Sequence, residues 1–130
     1  KTAFLTVLID ALAFDATPVL TGRAEALAHD DALRERFDLV VARAVAPLPA
    51  LLELTLPFAR IGGCIVTPKG SRVEEEVAAS ANALRVLGAR VVVVPFDVPG
   101  PPQKLVAAVK QRATPAEYPR RDGVPAKSPL

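Results

Sequence analysis

The sequence has 130 residues, a formal net charge of +2 and a single cysteine, Cys64. This length corresponds to about one domain, the charge is too small to indicate a nucleic-acid binder, and the single cysteine excludes an internal disulfide and favours a reducing compartment. Every apolar stretch is shorter than the roughly 18 residues of a membrane-spanning helix and no signal segment precedes one, so we expect a cytoplasmic protein with no membrane partner.

The start of the chain has a helical pattern. Apolar residues recur at helical spacing and predict a helix from Lys1, with no turn or strand before it, so we expect that the chain is cut at its beginning. These residues are Phe4, Leu5, Leu8, Ile9 and Leu12. Residues 17–21 predict a short strand that ends at Gly22, and two short helical segments follow, one from Arg23 and one over residues 31–36.

The middle of the chain alternates between strand and helix. Residues 37–42 form a continuous apolar run, which predicts a strand buried on both faces. Pro47 and Pro49 predict the start of a helix that runs to Phe58 and ends at Gly62-Gly63. Residues 64–67 predict another strand, closed by Pro68-Lys69-Gly70.

The last elements are a helix and a strand pair. Ser71-Arg72-Val73-Glu74 is a capping-box pattern that predicts a helix to Leu87, stopped by Gly88, and Glu74-Glu75-Glu76 is interpreted as its solvated first turn. Strands are predicted over 90–96 and 104–109. Their link, Pro99-Gly100-Pro101-Pro102, is too short for a helix, so the strands should be antiparallel neighbours. This order predicts an α/β fold with a doubly wound sheet and an antiparallel last strand, followed by an extended tail with no helix or strand.

In open α/β sheets, ligands bind beyond the carboxyl ends of the strands. The residues to consider therefore lie over 21–25, 42–44 and 67–70. With one histidine and one cysteine, the chain has no metal-ligand spacing, so we expect no metal and no Cys-His mechanism, and His29 is interpreted as a surface residue.

Three side chains in these segments have two interpretations each. Glu25 can accept from an adenine amine while the Ala24 N–H donates to the ring, or it can be a first-turn glutamate that stabilises a helix. Arg43 interrupts an apolar strand end, which favours either a ligand contact or an internal ion pair with Asp38 or Glu53. Lys69 is either a substrate contact or a solvated loop lysine.

The tail concentrates basic residues around the single tyrosine, Tyr118. Such a segment can lie along a phosphate backbone with the ring available for stacking, or it can be a merely disordered basic end. The basic residues are Lys110, Arg112, Arg120, Arg121 and Lys127.

Several stretches together resemble the RsmG (formerly GidB) family of 16S ribosomal RNA guanine-N7 methyltransferases. Each motif is weak alone, but their order and spacing over essentially the whole chain are specific. They are Lys1-Thr2-Ala3-Phe4-Leu5, Gly22-Arg23-Ala24-Glu25, Phe37 to Ala44, Lys69-Gly70, Thr114 to Arg121 and the ending Pro125 to Leu130.

The resemblance implies a Rossmann-like methyltransferase sheet and S-adenosylmethionine as methyl donor. It implies that Ala24 and Glu25 lie at the adenine, and Arg43 at the junction of cofactor and substrate. The partner would be 16S rRNA in the 530-loop region of the small ribosomal subunit. The residues expected to contact RNA are Lys69, Lys104, Tyr118, Arg120 and Arg121.

The chain also departs from the family pattern. The glycine-rich loop and the acidic residue that would hold the ribose lie upstream of Lys1, and Gln103-Lys104 stand where family members carry an arginine. We therefore expect a partial Rossmann-like domain over 1–112 and a basic, proline-rich tail over 113–130. Such a piece should be inactive alone, and its orphaned strand edges should pair with another chain, including self-association, unless missing residues cover them.

The expected chemistry needs no general base, because guanine N7 carries a free lone pair at neutral pH. The enzyme's task is then mainly alignment. Arg43 or Lys69, the candidate catalytic residues, would donate to guanine O6 and leave N7 open. Two rival hypotheses are a piece of a nicotinamide-dependent dehydrogenase and an RNA-binding or oligomerisation module with a degenerate methyltransferase fold.

Overall fold

A computed structural model describes residues 2–14, 16–96 and 103–130. The predicted Pro99–Pro102 link and the Lys1 start of the first helix lie outside the described residues. The elements in chain order are α1 Thr2–Ala11, α2 Ala24–Leu27, β1 Phe37–Val41, α3 Leu48–Thr55, β2 Ala59–Lys69, α4 Val73–Ala79, α5 Ala81–Leu87, β3 Ala89–Phe96, β4 Gln103–Lys110 and α6 Val124–Lys127. In these ranges no helix is long and apolar enough to cross a membrane.

The strands form one sheet in the order β1-β2-β4-β3. β1 and β2 are parallel, with Val41 opposite Val66. β4 runs antiparallel to both of its neighbours, with Val109 opposite Cys64 of β2 and Val106 opposite Val93 of β3. The predicted α/β fold with an antiparallel last strand is confirmed, and it is the arrangement of a Rossmann-like methyltransferase sheet.

The core lies where α3, α4 and α5 pack on β2 and β4. Residues of β4 alternate in burial, and those on the covered face, Val106 and Ala108, are fully buried. Each fully buried large side chain contributes about 1.5–3 kcal/mol to stability. The largest apolar members of this cluster are Leu48, Leu51, Leu52, Leu56, Ile65, Val73, Leu87 and Val106.

The first 41 residues differ most from the prediction. Helix α1 is confirmed, but its apolar side chains, including Phe4 and Val7, are exposed. The strand predicted over 17–21 is wrong, because a strand needs a hydrogen-bonding neighbour and none of the described strands pairs with this segment. Burial of β1 on both faces is also wrong. Phe37, Leu39 and Val41, which share one face of β1, are exposed, so the described residues leave that face uncovered.

Two predicted helix boundaries are corrected by backbone contacts. Residues 31–35 form turns rather than a helix, since the Glu35 and Arg36 N–H groups already bond to the carbonyls of Pro57 and Phe58. Helix α3 ends at Thr55, and Gly62-Gly63 lie inside β2. A Cβ on Gly63 would lie 2.9 Å from the Phe37 and Asp38 carbonyl oxygens, so this glycine permits close approach of β1.

The predicted capping box does not form. Helix α4 begins at Val73 without a side-chain cap, and Glu74 pairs with Lys104 instead. The single helix predicted to Leu87 is divided at Ser80, whose hydroxyl donates to the Glu76 carbonyl at 2.7 Å. The stop at Gly88 is confirmed, with a left-handed φ of 73°.

The segment after Lys110 packs back on the helices, and the prediction of a tail without helix is corrected by α6. Hydrogen bonds from the half-buried Arg34 and the buried Lys110 hold this segment in place. The guanidinium of Arg34 donates to the carbonyls of Thr114, Pro115 and Tyr118. The ammonium of Lys110, which is fully buried, donates to Glu35 at 2.7 Å. The residues that these contacts join are 75 to 84 positions apart in the sequence.

Candidate functional site

Two of the hollows that border residues 43–46, the connection from β1 to α3, contain residues considered from the sequence. The first, here called the Arg43 hollow, has a volume of about 620 Å³ and is lined by Arg43, Ala44, Ala46, Pro68, Lys69, Gly70, Ser71 and Gln103. The second, the Glu25 hollow, has a volume of about 380 Å³ and is lined by Gly22, Arg23, Ala24, Glu25, Val45, Ala46, Leu54 and Ala126. Ala46 lines both, so the two hollows are neighbours.

The Arg43 hollow lies at the carboxyl edge of the parallel strands. β1 ends at Val41 and β2 at Lys69, and because parallel strands end at the same edge, the segments that follow them meet there. The antiparallel neighbour β4 begins at this edge, so Gln103 also lines the hollow. The structure thus brings Arg43 and Lys69, expected from sequence at strand ends, to one cavity.

Arg43 is exposed into this hollow. Among the described residues, neither a hydrogen bond nor an ion pair involves its guanidinium. The two carboxylates considered from sequence have other partners. Asp38 pairs with Arg60 at 2.5 Å, and Glu53 pairs with Arg120 at 2.6 Å. The internal ion pair weighed for Arg43 therefore does not form, and its five N–H donors are available to a ligand.

Lys69 is not a solvated loop lysine. Its side chain is only 12% exposed, and its ammonium donates to Glu76 Oε2 at 2.7 Å and to the Ala46 carbonyl at 3.0 Å. Burial raises the pKa of Glu76, but hydrogen bonds from Lys69 and from the Leu48 N–H outweigh it and hold that pKa below its ordinary value. Glu76 is therefore ionised at neutral pH, and the prediction of a solvated Glu76 is wrong.

Glu25 lies in the first turn of α2 with its side chain 4% exposed. Its Oε1 accepts from Arg23 Nη2 at 2.9 Å and from the Gly123 N–H at 3.0 Å. Burial raises the pKa of Glu25, but these hydrogen bonds lower it by more than burial raises it. The pKa of Glu25 therefore lies below its ordinary value. Glu25 is a buried, ionised acceptor beside Ala24, and the segment around Gly123 forms part of its surroundings.

The expected RNA contacts divide into bound and available groups. The Arg120 guanidinium donates to both oxygens of Glu53, and Tyr118 is half-buried against the core. Lys104 pairs with Glu74 at the surface. Arg121 is exposed and, within the described ranges, has no ion pair. Arg121 is therefore the tail arginine that is open to a partner.

Sequence reasoning missed the ionic contacts of several residues. Arg34 and Glu35 were not singled out, and Glu76 was interpreted only as a solvated first-turn residue, because each finds its partner through the fold rather than through local spacing. The signal for Glu35 is indirect, since a lysine that ends a buried strand, such as Lys110, needs an acidic partner somewhere in the fold. His29 was interpreted as a surface residue and is exposed, although its Nε2 donates to the Pro119 carbonyl at 2.8 Å.

Comparison with known proteins identifies the family. The GidB family model, described as rRNA small subunit methyltransferase G, matches residues 1–105. The chain belongs to this family. The GidB match includes every residue that lines the Arg43 hollow and, apart from Ala126, every residue that lines the Glu25 hollow.

Curated relatives in the GidB family carry the name ribosomal RNA small subunit methyltransferase G. The protein of Roseiflexus castenholzii is 44% identical over 100% of this chain and 56% of its own length. That of Deinococcus radiodurans is 49% identical over 84% of this chain and 44% of its own length. That of Symbiobacterium thermophilum is 50% identical over 86% and 47%. The chain spans about half the length of these relatives.

Proposed function

We propose that the whole protein transfers a methyl group from S-adenosylmethionine to N7 of a guanine in 16S rRNA, in the 530-loop region of the small ribosomal subunit, and that it acts in the cytoplasm. The observation that carries this proposal is that the Arg43 guanidinium has no partner among residues 2–14, 16–96 and 103–130, and that its hollow adjoins the Glu25 hollow. The membership of the GidB family and the names of the curated relatives support the reaction class.

The Glu25 hollow fits the adenine end of the cofactor. Its ionised carboxylate can accept from the exocyclic amine, and the N–H of Ala24, in the first turn of α2, has no partner within that helix. Gly22, Ala24, Ala46 and Ala126 are small and leave space for a planar ring. When bound, S-adenosylmethionine supplies a methyl group on a positively charged sulfur. In the family pattern, the residues that hold the rest of the cofactor lie in a segment before the part that this chain matches.

The Arg43 hollow fits the guanine. N7 of guanine has a free lone pair at neutral pH, so the site needs no general base. A single donation from Arg43 to O6 orients the ring and leaves N7 open, whereas a bidentate contact to O6 and N7 would block the nucleophile. Arg43 therefore acts by alignment, which can supply several kcal/mol of a barrier, about 7–11 at the upper limit.

The remaining basic residues add further contacts to the RNA. Two of the three Lys69 donors are used within the protein, and the third is free to donate to a phosphate or to O6. Lys104 follows Gln103 at the rim of the hollow, and Arg121 is exposed. Tyr118 and Arg120 complete the proposed RNA-contacting set, although Glu53 already accepts from two of the five guanidinium donors of Arg120, and the Ser128 carbonyl from a third.

Product analysis of the whole protein tests this function. The protein is incubated with S-adenosylmethionine and small subunits from cells that lack the modification, and the RNA is digested for mass spectrometry. We expect 7-methylguanosine in the fragment that contains the 530 loop. Methylation at another atom would contradict the proposed geometry. RNA binding without any methylated product or affinity for S-adenosylhomocysteine would support the alternative, a binding module that kept the fold.

We also propose that another polypeptide segment covers the open side of the sheet. The exposed apolar residues concentrate on α1 and β1, and the edge of β1 has no partner among the described strands. The relatives extend to about twice the length of this chain. The resemblance to a Rossmann-like methyltransferase sheet implies two further strands between β1 and the segment at 17–21. In the 130-residue chain alone, a second copy would be the available cover.

A further inference from the structure

One carboxylate oxygen links three elements beside the Arg43 hollow, whose lining includes Lys69 and Ala46 but not Glu76. Oε2 of Glu76, on α4, accepts from the ammonium of Lys69 at the end of β2 and from the N–H of Leu48 at the start of α3, both at 2.7 Å. The same ammonium donates to the Ala46 carbonyl at 3.0 Å. Glu76 and Lys69 therefore hold the end of the connection that carries Arg43.

This connection needs support from outside itself. Ala44 has a φ of +54°, a left-handed conformation that costs about 1–2 kcal/mol for a residue with a Cβ. The last regular hydrogen bond before it is donated by Ala42 to the Val66 carbonyl. Between that bond and helix α3, the contacts of Ala46 and Leu48 with the Lys69-Glu76 pair fix the path of the backbone.

The pair is suited to this task. The Lys69 side chain is 12% exposed and the Glu76 side chain 27%, so water competes weakly for their hydrogen bonds. Charge-assisted hydrogen bonds in such surroundings are about twice as strong as neutral ones. The neighbouring Glu75 is exposed. These neighbouring glutamates of α4 have different surroundings, so the contacts of Glu76 are not a general property of an acidic first turn.

We infer that Glu76 is a positioning residue for methyl transfer. It fixes Lys69 and, with it, the Ala44–Ala46 turn that sets the direction of the Arg43 guanidinium, and it does not itself touch the substrate. The inference rests on the proposed function for its effect on rate, and on the Glu76, Lys69, Ala46 and Leu48 contacts for its effect on the turn.

The experiment compares Glu76→Gln and the matched control Glu75→Gln in the whole protein. We expect Glu76→Gln to lower the single-turnover rate on small subunits about tenfold, as for a lost charge-assisted hydrogen bond, with the affinity for S-adenosylhomocysteine within about twofold. Glu75→Gln should keep the parent rate. A parent-like rate for Glu76→Gln would overturn the inference.

A double variant separates positioning from a general structural role. If Glu76 acts through Lys69, adding Glu76→Gln to Lys69→Gln should cause little further loss of rate. Independent effects that multiply would overturn the inference. Glu76→Asp, which keeps the charge but shortens the side chain, should lose rate to a similar extent as Glu76→Gln.

Hydrogen exchange tests the turn without relying on catalysis. In the whole protein, peptides that contain residues 43–48 should exchange faster in Glu76→Gln than in the parent, while Glu75→Gln leaves them unchanged. Unchanged exchange in Glu76→Gln would overturn the inference even if methyl transfer occurs. Absence of methyl transfer in the parent, with faster exchange in Glu76→Gln, would instead contradict the proposed function and leave the positioning of the turn established.

Discussion

The guanidinium of Arg120 binds both oxygens of the Glu53 carboxylate, with Nε to Oε1 at 2.9 Å and Nη2 to Oε2 at 2.6 Å. The Arg120 N–H also donates to Oε1 at 2.9 Å. Glu53 lies in α3 and its side chain is fully buried. This bidentate pair links the C-terminal segment to α3, the helix that follows the Arg43 connection. The stability of the C-terminal segment is therefore coupled to that of α3.

Loss of this pair should destabilise the protein. Arg120→Ala leaves the Glu53 carboxylate buried without its cation, and we expect a loss of about 3 kcal/mol in the free energy of unfolding. Urea unfolding followed by circular dichroism measures it. Arg121→Ala, which removes the adjacent exposed arginine, serves as control and should stay within about 0.5 kcal/mol of the parent. Equal stability of the two variants would contradict the structural role of Arg120.

RNA binding should be weakened more by the loss of Arg121 than by the loss of Arg120, the reverse of their order in stability. Arg121 is exposed, so Arg121→Ala should weaken binding to small-subunit RNA and reduce the slope of log affinity against log salt concentration by about one. Filter binding over a series of salt concentrations gives both quantities. If the slope of Arg121→Ala equals that of the parent, Arg121 makes no phosphate contact.

Acid should destabilise the fold through three carboxylates. Burial raises the pKa values of Glu25, Glu35 and Glu76, but their hydrogen bonds lower them more, so each lies below the ordinary value of 4.5. A carboxyl whose folded pKa is depressed contributes its full stability above the unfolded pKa and loses it as the pH falls through the folded pKa. We expect the urea midpoint to change little between about pH 7 and 5 and to fall steeply below about pH 4.5.

A series of urea titrations between about pH 3 and 7 tests this. The Glu35→Gln variant should show a shallower fall, since one of the contributing carboxyls is gone. A parent midpoint at low pH equal to that at neutral pH would contradict the depressed pKa values.

Local patterns predicted the elements that need only local information. The helical spacing of Phe4 to Leu12 gave α1, and Gly88 gave the end of α5. The short proline-rich link predicted the antiparallel pairing of β3 with β4, because a connection of that length cannot hold a crossover helix. The family resemblance added the Rossmann-like order of strands.

The remaining features depend on partners that are distant in sequence. Residues 17–21 have a strand pattern, but a pattern cannot supply the neighbouring strand. The continuous apolar run of β1 predicts burial only if both faces are covered. For the site, Arg43 could be predicted because an arginine at the end of an apolar strand is unusual. Glu76 could not, because its proximity to Lys69 and Leu48 arises only when α4 packs on α3.

The 130-residue chain should bind the cofactor poorly by itself. The Glu25 hollow is proposed to take only the adenine end, and the resemblance implies that the family's glycine-rich loop and ribose-binding carboxylate belong to a segment before the part that this chain matches. Titration calorimetry with S-adenosylhomocysteine should detect no binding in the micromolar range. Micromolar affinity would contradict this expectation.

Sedimentation velocity on the same sample reports whether the open edge of β1 pairs with a second copy.

The measurement that tests the account most directly is the single-turnover methylation rate of Arg43→Ala in the whole protein, with S-adenosylhomocysteine affinity measured in parallel. Removing a charged donor from O6 should lower the rate about 10- to 100-fold, whereas Arg85→Ala, at an exposed position on α5, should keep the parent rate. If Arg43→Ala leaves both the methylation rate and the cofactor affinity unchanged, the assignment of the Arg43 hollow to the guanine is wrong.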